Sequence, residues 1–143
     1  MIRNIRLEDA KAIRDISEFS LGYKTTEAVT ELQIEKLLQN TEHFIRVYED
    51  DETHIVVGFI HAEAYELLYK EPGFNILGLA VLPEYQHRGI GKQLLQAVEA
   101  EAAARNYRFI RLNSGEHRME AHAFYEHCGY NYTKLQKRFI KEW

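Results

Sequence analysis

Between an apolar run and a helical pattern lies the stretch Gln86-His87-Arg88-Gly89-Ile90-Gly91-Lys92. The apolar run, residues 74–82, predicts a central strand covered on both faces, and Pro83 ends it. Residues 89–105 repeat apolar side chains at i, i+4 spacing, which predicts a helix. Glycine lets a backbone approach an anion closely, and the free N–H groups of a helix's first turn favour negative charge. Because Arg88 and Lys92 add positive charge, the stretch predicts a phosphate or pyrophosphate site.

Two other phosphate-binding motifs do not fit these residues. A dinucleotide-binding fingerprint that starts at Gly89 requires a glycine at position 94, where Leu94 stands. A P-loop that ends in Gly91-Lys92 requires a glycine at position 86, where Gln86 stands. From the spacing alone, an ordinary strand-to-helix turn with two glycines remains the alternative.

The composition favours a single cytoplasmic domain that spans residues 1–143. Hydrophobic residues make up 45% of the chain, which is enough for one core. One cysteine excludes a disulfide framework, and the first ten residues lack the apolar segment of a signal peptide. No apolar run approaches the length of a membrane span, so no membrane partner is expected. The net charge of -4 and the scattered basic residues weigh against nucleic acid as a partner.

The remaining pattern predicts a mixed α/β sandwich with helices on both faces of a central sheet. Helices are predicted over residues 8–19, 25–38, 89–105 and 119–128. Strands are predicted over residues 2–6, 43–48, 53–67, 74–82 and 109–113, with one or two more in 131–140. Turns are predicted at residues 49–52 and 71–73. The predicted order is therefore β-α-α-β-β-β-α-β-α-β-β.

The long strand predicted at residues 53–67 changes character along one face. That face begins with apolar residues and then carries His61, Glu63 and Tyr65. Because alternate residues of a strand share a face, these three side chains should form one polar surface. This end of the strand is therefore a candidate wall of an active site.

Two segments together match a known family pattern. The matches in the loop are Gln86, Gly89 and Gly91 in a glycine core and Val81, Pro83 and Tyr85 in its lead-in. A second block matches at residues 123–130, at the expected distance from the first. With these two blocks the chain resembles the GNAT superfamily of N-acetyltransferases. The resemblance covers the whole chain and implies that family's fold, a mixed and mostly antiparallel sheet with helices on both faces.

The resemblance implies acetyl-CoA as the cosubstrate. The backbone N–H groups of residues 88–92 would hold the CoA pyrophosphate, and residues 79–81 would pair with the pantetheine arm. Many members carry Asn at the position of Arg118, where it contacts CoA. The implied CoA-binding residues are Leu79, Ala80, Val81, Gln86, His87, Arg88, Gly89, Ile90, Gly91, Lys92 and Arg118.

The resemblance also implies catalytic roles. Tyr125 matches the family's general acid, which gives a proton to the departing CoA sulfur. Glu63, on the polar strand face, is the candidate base that takes a proton from the amine. Water relays would also serve as the base, and the alternative side chains for this role are Glu116, His117 and His122.

Three further residues are candidates for binding the acceptor. His61 and Tyr65 flank Glu63 on the polar strand face, and Asn75 occupies a neighbouring-strand position that is sometimes Glu in the family. Residues 118–125 resemble a subgroup that includes aminoalkylphosphonate N-acetyltransferases. This resemblance implies a small-molecule amine as the acceptor.

These residues predict an enzyme that transfers acetyl from acetyl-CoA to a primary amine by direct attack in a ternary complex. The alternative is an acyl-CoA-binding sensor or inactive relative that acts through protein partners. No metal is expected, because a helix turns residues spaced five apart about 140° from each other, and this is the spacing of His117, His122 and His127. The final strands or an exposed sheet edge are the surfaces expected to support a homodimer.

Overall fold

The computed structural model describes residues 1–143 as two compact units, Met1–Leu112 and Asn113–Trp143. The strands are β1 (Ile2–Asn4), β2 (His43–Glu49), β3 (Val56–Leu67), β4 (Lys70–Val81) and β5 (Ile110–Leu112). The helices are α1 (Ala10–Leu21), α2 (Glu27–Leu37), α3 (Ile90–Ala104) and α4 (Met119–His127). The first unit holds all five strands and three helices, and the second holds α4. The expectation that the whole chain forms one domain stays a prediction.

The five strands form one sheet in the order β1-β2-β3-β4-β5. Neighbouring strands are antiparallel except β4 and β5, which are parallel. A parallel pair needs a long crossover connection, and α3 supplies it. The predicted fold class, a mixed and mostly antiparallel sheet, is therefore confirmed.

Helices cover both faces of this sheet. On one face α1 and α2 pack into an apolar cluster that includes Ile16, Ile34 and Phe59. On the other face α3 lies so close to β3 that a Cβ added at Gly58 would be 3.4 Å from a Leu94 methyl carbon. None of the four helices combines the length and apolar character that a bilayer crossing requires.

The turn predicted at residues 71–73 is wrong, because Pro72 and Gly73 lie inside β4. The chain reverses at residues 68–69 instead. Gly73 has a different reason to be glycine: a Cβ there would be 2.4 Å from the Phe109 carbonyl oxygen. The backbone N–H of Arg108, next to Phe109, also donates a hydrogen bond of 2.9 Å to the Pro72 carbonyl. The Pro-Gly pair therefore marks a close approach of two backbones rather than a turn.

The one or two strands expected over residues 131–140 do not form, and residues 130–143 have no regular secondary structure. Their side chains are exposed from Asn131 onward. A strand exists only where a neighbour satisfies its backbone groups, and an exposed segment leaves those groups to water. Repulsion between like charges also opposes compact packing here, since the segment contains Lys134, Lys137, Arg138 and Lys141.

Candidate active site

The first turn of α3 presents three backbone donors. Gly89 is the N-cap residue, with φ of 82° and no side-chain cap. The first helical hydrogen bond runs from the Gln93 N–H to the Gly89 carbonyl over 3.1 Å. The N–H groups of residues 90–92 therefore have no partner inside the helix. Together with the helix dipole, they form a site suited to an anion.

Two side chains that precede this turn, Gln86 and Arg88, donate hydrogen bonds to nearby backbone carbonyls. Gln86 donates its side-chain amide to the Val81 carbonyl at 3.0 Å. The Arg88 guanidinium donates to the Glu84 carbonyl at 3.0 Å and lies 4.9 Å from the centre of the Tyr85 ring. These contacts hold the loop on the end of β4, while its backbone stays exposed.

His87 and Lys92 complete the predicted loop residues. His87 has a φ of 64°, a left-handed conformation that is uncommon for a residue with a side chain. Its side chain and that of Lys92 are exposed. The loop thus combines unusual backbone geometry with an accessible positive charge next to three unpaired amides.

The end of β4 separates from β5. The last paired residues are Ile76 and Leu112, so residues 77–81 have no strand partner on that side. A β-bulge begins the separation: His61 pairs with Gly78 but Ala62 pairs with Ile76, which leaves Leu77 as an extra residue. The three strand residues predicted to bind the pantetheine arm, Leu79, Ala80 and Val81, all lie in this unpaired half.

One backbone group of that segment is already satisfied by the protein. The Val81 carbonyl accepts hydrogen bonds from the Ser20 hydroxyl at 2.8 Å and from Gln86 at 3.0 Å. Ala80 turns its side chain into the apolar cluster under α1. The Leu82 N–H donates to the Val57 carbonyl on β3 at 2.8 Å, and backbone groups alternate in direction along a strand, so those of Ala80 also face β3 and those of Leu79 face the gap.

A row of polar side chains crosses four strands beside this gap. His43 on β2 pairs with Glu63 on β3, Glu63 with Asn75 on β4, and Asn75 with Arg111 on β5. Directly paired residues share a face of the sheet, so all four side chains lie on one face. Asn75 links its neighbours: its amide donates to the Glu63 carboxylate at 3.1 Å, and its oxygen accepts from Arg111 at 2.7 Å. We call these four residues the polar row.

His61 and Tyr65 lie on either side of the polar row on the same face. His61 approaches His43 to 2.8 Å between ring nitrogens. Burial, together with the nearby His43, lowers the pKa of His61 to about 4, although Glu63 opposes the change. His61 is therefore a neutral ring near pH 7. Tyr65 packs edge-on against Phe109 and lies under the Arg111 guanidinium, 4.9 Å from ring centre to carbon.

The structure thus brings together four residues that the sequence pointed to, and adds two that it missed. His61, Glu63, Tyr65 and Asn75 share one face of the sheet. The missed members are His43 and Arg111, on strands whose register the sequence did not specify. A usable signal existed for Arg111, which is a charged residue inside the short strand predicted at residues 109–113.

The second unit carries Tyr125 in α4. Its ring is half-buried and packs edge-on against Phe124 and Tyr130. Burial raises the pKa of the Tyr125 hydroxyl, although the charge of Arg118 opposes the rise. Because its pKa is raised, Tyr125 stays a protonated donor through the physiological pH range. Arg118 is the N-cap residue of α4, and Gly129 follows the end of the helix with φ of 92°.

The remaining candidate bases also lie in the second unit. A ring nitrogen of His122 is 2.8 Å from the Gly115 carbonyl oxygen, and so is engaged locally. Glu116 and His117 are exposed. No group of three or more His, Cys, Asp or Glu side chains is placed to hold a metal ion.

The sequence model of the Acetyltransferase (GNAT) family matches residues 10–130. An uncharacterized N-acetyltransferase of Chlorobaculum tepidum is 28% identical over 144 residues, which cover 99% of this chain and 80% of the relative. The aminoglycoside 6'-N-acetyltransferase AAC(6')-Ih from Acinetobacter baumannii has a similar fold, with a TM-score of 0.85, 20% identity, and coverage of 99% and 97% of the two chains. AAC(6')-Iy, solved with the bisubstrate analog CoA-S-monomethyl-acetylneamine, gives a TM-score of 0.84, 18% identity, and coverage of 99% and 97%. At these identities the two solved structures show a shared fold.

Proposed function

The chain belongs to the acetyltransferase (GNAT) family, and we propose that it moves an acetyl group from acetyl-CoA to a primary amine of a small molecule. The amine attacks directly, in a ternary complex. One observation carries this proposal: the unpaired half of β4 leads straight into the amide-rich start of α3, and the polar row lies at the point where β4 leaves β5. This arrangement offers an extended groove for a cosubstrate beside titratable groups for an acceptor.

The residues present fit acetyl-CoA. Its pyrophosphate is an anion, which the N–H groups of residues 90–92 and the charge of Lys92 suit. Its pantetheine arm is an extended chain with amide groups, which suit the free backbone groups of Leu79. Gln86 and Arg88 act by holding the loop in shape rather than by direct charge pairing. Arg118 is proposed to contact CoA on the strength of the family resemblance.

Glu63 is the proposed base. A primary amine is mostly protonated at neutral pH and must lose a proton before it can attack. The Glu63 carboxylate can take that proton directly or through water, and its hydrogen bond from Asn75 fixes the orientation of one oxygen. The neighbouring His61 is neutral, so it does not repel an incoming ammonium group.

Tyr125 is the proposed acid. Acetyl-CoA supplies an activated thioester, and the bond to sulfur breaks as the new carbon–nitrogen bond forms. The sulfur leaves as a thiolate, and the Tyr125 hydroxyl gives it a proton. Burial raises the pKa of Tyr125, so its hydroxyl is protonated at neutral pH, as a proton donor must be.

Calorimetry and a thiol-release assay test the proposal. We expect acetyl-CoA to bind the purified protein, and free CoA thiol to appear when small primary amines are added. The amine panel includes simple amines, amino acids, peptides and aminoglycosides. Binding of acetyl-CoA without turnover of any amine would instead favour the sensor function, and absence of binding would refute the proposal.

A further inference from the structure

His43 and His61 form a hydrogen-bonded pair of imidazole rings at the β2 end of the polar row. The Nδ1 atom of His43 and the Nε2 atom of His61 are 2.8 Å apart, and the ring centres are 5.1 Å apart. One ring therefore donates and the other accepts, which fixes the orientation of both. The pair can take up one further proton, because a second would place two positive rings in contact.

Burial decides which of the two rings takes up that proton. Burial, together with the nearby His43, lowers the pKa of His61 to about 4, so the His61 ring is neutral at pH 7. A neutral His61 can accept the Nδ1–H of a protonated His43, and this hydrogen bond stabilises the positive charge on His43. His43 is therefore the site of proton uptake, and His61 is the residue that positions it.

His43 is also the cross-strand neighbour of Glu63. The two residues pair directly between β2 and β3, so their Cβ atoms are about 5 Å apart on one face of the sheet. One oxygen of Glu63 accepts from Asn75, whereas the other oxygen and the Nε2 atom of His43 have no hydrogen bond within the protein. One water molecule can join these two atoms and carry a proton between them.

A cavity beside His43 leads to the surface. It has a volume of about 130 Å³, which is enough for several water molecules, and it lies between β2 and the end of α2. Asn4 and Leu38 line it and are exposed, so the cavity opens to solvent. Besides His43, the one titratable residue that lines it is Arg46, whose guanidinium lies 3.9 Å from the centre of the Phe44 ring. A proton on His43 can thus leave through water without passing Glu63 again.

We propose that His43 is a relay that receives the amine proton from Glu63 and passes it to solvent. The inference rests on the proposed function and adds a residue to it. The ammonium N–H bond breaks as a Glu63 oxygen takes the proton, and Glu63 hands a proton through water to Nε2 of His43. The lone pair freed on the amine nitrogen then attacks the thioester carbon. His43 loses its proton to water in the cavity, and Glu63 is left ionised for the next cycle.

Transfer to an imidazole makes removal of the amine proton less unfavourable. A free amine holds its proton up to about pH 10, whereas a carboxylate takes one up at about pH 4 and an imidazole at about pH 6.5. Moving the proton from a carboxylate to an imidazole therefore improves the equilibrium by a factor of roughly 100. Acceptance by His43 thus raises the population of neutral amine in the bound complex.

The pH dependence of kcat/KM tests the relay with the native protein and one variant. For an amine that the native protein acetylates, kcat/KM should fall as the pH drops below neutral, because a protonated His43 can accept no further proton. His43→Gln keeps a hydrogen-bonding group toward His61 but cannot take up a proton. It should lower kcat/KM above neutral pH at least about tenfold and remove the fall below neutral pH, with unchanged acetyl-CoA affinity.

Chemical rescue gives the second readout. His43→Ala leaves space beside the cavity, and added imidazole should restore the activity of this variant in proportion to its concentration. The native protein and His43→Gln should not respond to imidazole. His54→Asn is the matched control, because His54 is an exposed histidine between β2 and β3 and asparagine tolerates its φ of 60°. Thermal unfolding of each variant at each pH checks that the fold is kept.

The outcomes separate this inference from the proposed function. Acetyl transfer whose kcat/KM does not fall below neutral pH in the native protein, or falls equally in His43→Gln, would overturn the relay while the function stands. A loss in His43→Ala that imidazole does not restore would also overturn it, since His43 would then act through structure alone. Absence of turnover with every amine would overturn both. An acid limb that disappears in His43→Gln, together with rescue of His43→Ala, supports the relay.

Discussion

Glu63 and Asn75 face each other across β3 and β4, and the Asn75 side-chain amide donates a hydrogen bond of 3.1 Å to the Glu63 carboxylate. The other side of the same amide is occupied by Arg111, so Asn75 cannot rotate without losing a contact. One oxygen of Glu63 is thereby fixed, and the carboxylate is presented in one orientation. Such fixed placement is what an acid–base group requires.

Glu63→Gln should lower kcat/KM near pH 7 by about 100-fold, because the amide cannot take a proton from the amine. The loss should shrink as the pH rises toward the pKa of the free amine, where the neutral amine forms without help. A pH profile of kcat/KM for both proteins measures this. The control is Glu66→Gln, three residues along the same strand and exposed. A loss that is the same at every pH would contradict the role of Glu63 as base.

Much of this arrangement could be predicted from local patterns. The i, i+4 repeat of α3 and the glycine at position 89 before it correspond to features of the structure. So does the polar face of β3. Local patterns succeed here because capping, periodicity and strand alternation depend on residues close in sequence.

The polar row as a whole could not be predicted from local patterns, because it depends on how strands distant in sequence pair with each other. Arg111 meets Asn75 only because β4 and β5 pair in one parallel register, and a shift of one residue would move its side chain to the other face. The bulge at Leu77 likewise arises from pairing between two strands. Pro72 and Gly73 led to the wrong prediction of a turn for the same reason. Gly73 is needed because the backbone of Phe109, 36 residues further along the chain, passes close to it.

Gly89→Leu should weaken acetyl-CoA binding at least about tenfold, measured by calorimetry. A side chain at φ of 82° is strained, and it would also cover the amides at the start of α3. Gly22→Leu is a matched control, because Gly22 has φ of 77° and is also surrounded by open space. Both substitutions should cost about 1–2 kcal/mol of stability. Equal loss of acetyl-CoA affinity in the two variants would show that strain alone, and not the anion site, explains the effect.

Tyr125→Phe should lower kcat by about 100-fold and leave acetyl-CoA affinity unchanged, because only the proton donor is removed. In the native protein the alkaline limb of kcat should lie above pH 10, since burial raises the pKa of Tyr125. Steady-state kinetics and calorimetry measure the two effects. Tyr132→Phe, at an exposed tyrosine of the C-terminal segment, is the control. Full activity of Tyr125→Phe would remove the tyrosine from the mechanism.

The stability of the protein should fall on acidification because of His61. Its pKa is about 4 in the folded protein and 6.5 in the unfolded chain, so the unfolded chain binds more protons between these values. The stabilisation is present above pH 6.5 and is lost as the pH falls toward 4, by about 2 kcal/mol between pH 7 and pH 5. Urea unfolding at both pH values measures the loss. His61→Gln should show a smaller difference between the two, and an unchanged difference would mean that other groups cause it.

Gly73→Ala should destabilise the first unit by about 1–3 kcal/mol, as expected for overpacking against a neighbouring strand. The added carbon would be 2.4 Å from the Phe109 carbonyl oxygen and 2.6 Å from its ring, and the backbone cannot yield without moving β5. Gly78→Ala is the matched control on the same strand, because its nearest neighbour would be a Phe59 ring carbon at an ordinary 3.5 Å. That change should stay within about 0.5 kcal/mol. Chemical denaturation of both variants tests this, and equal stability of the two would contradict the close approach of the Phe109 backbone to Gly73.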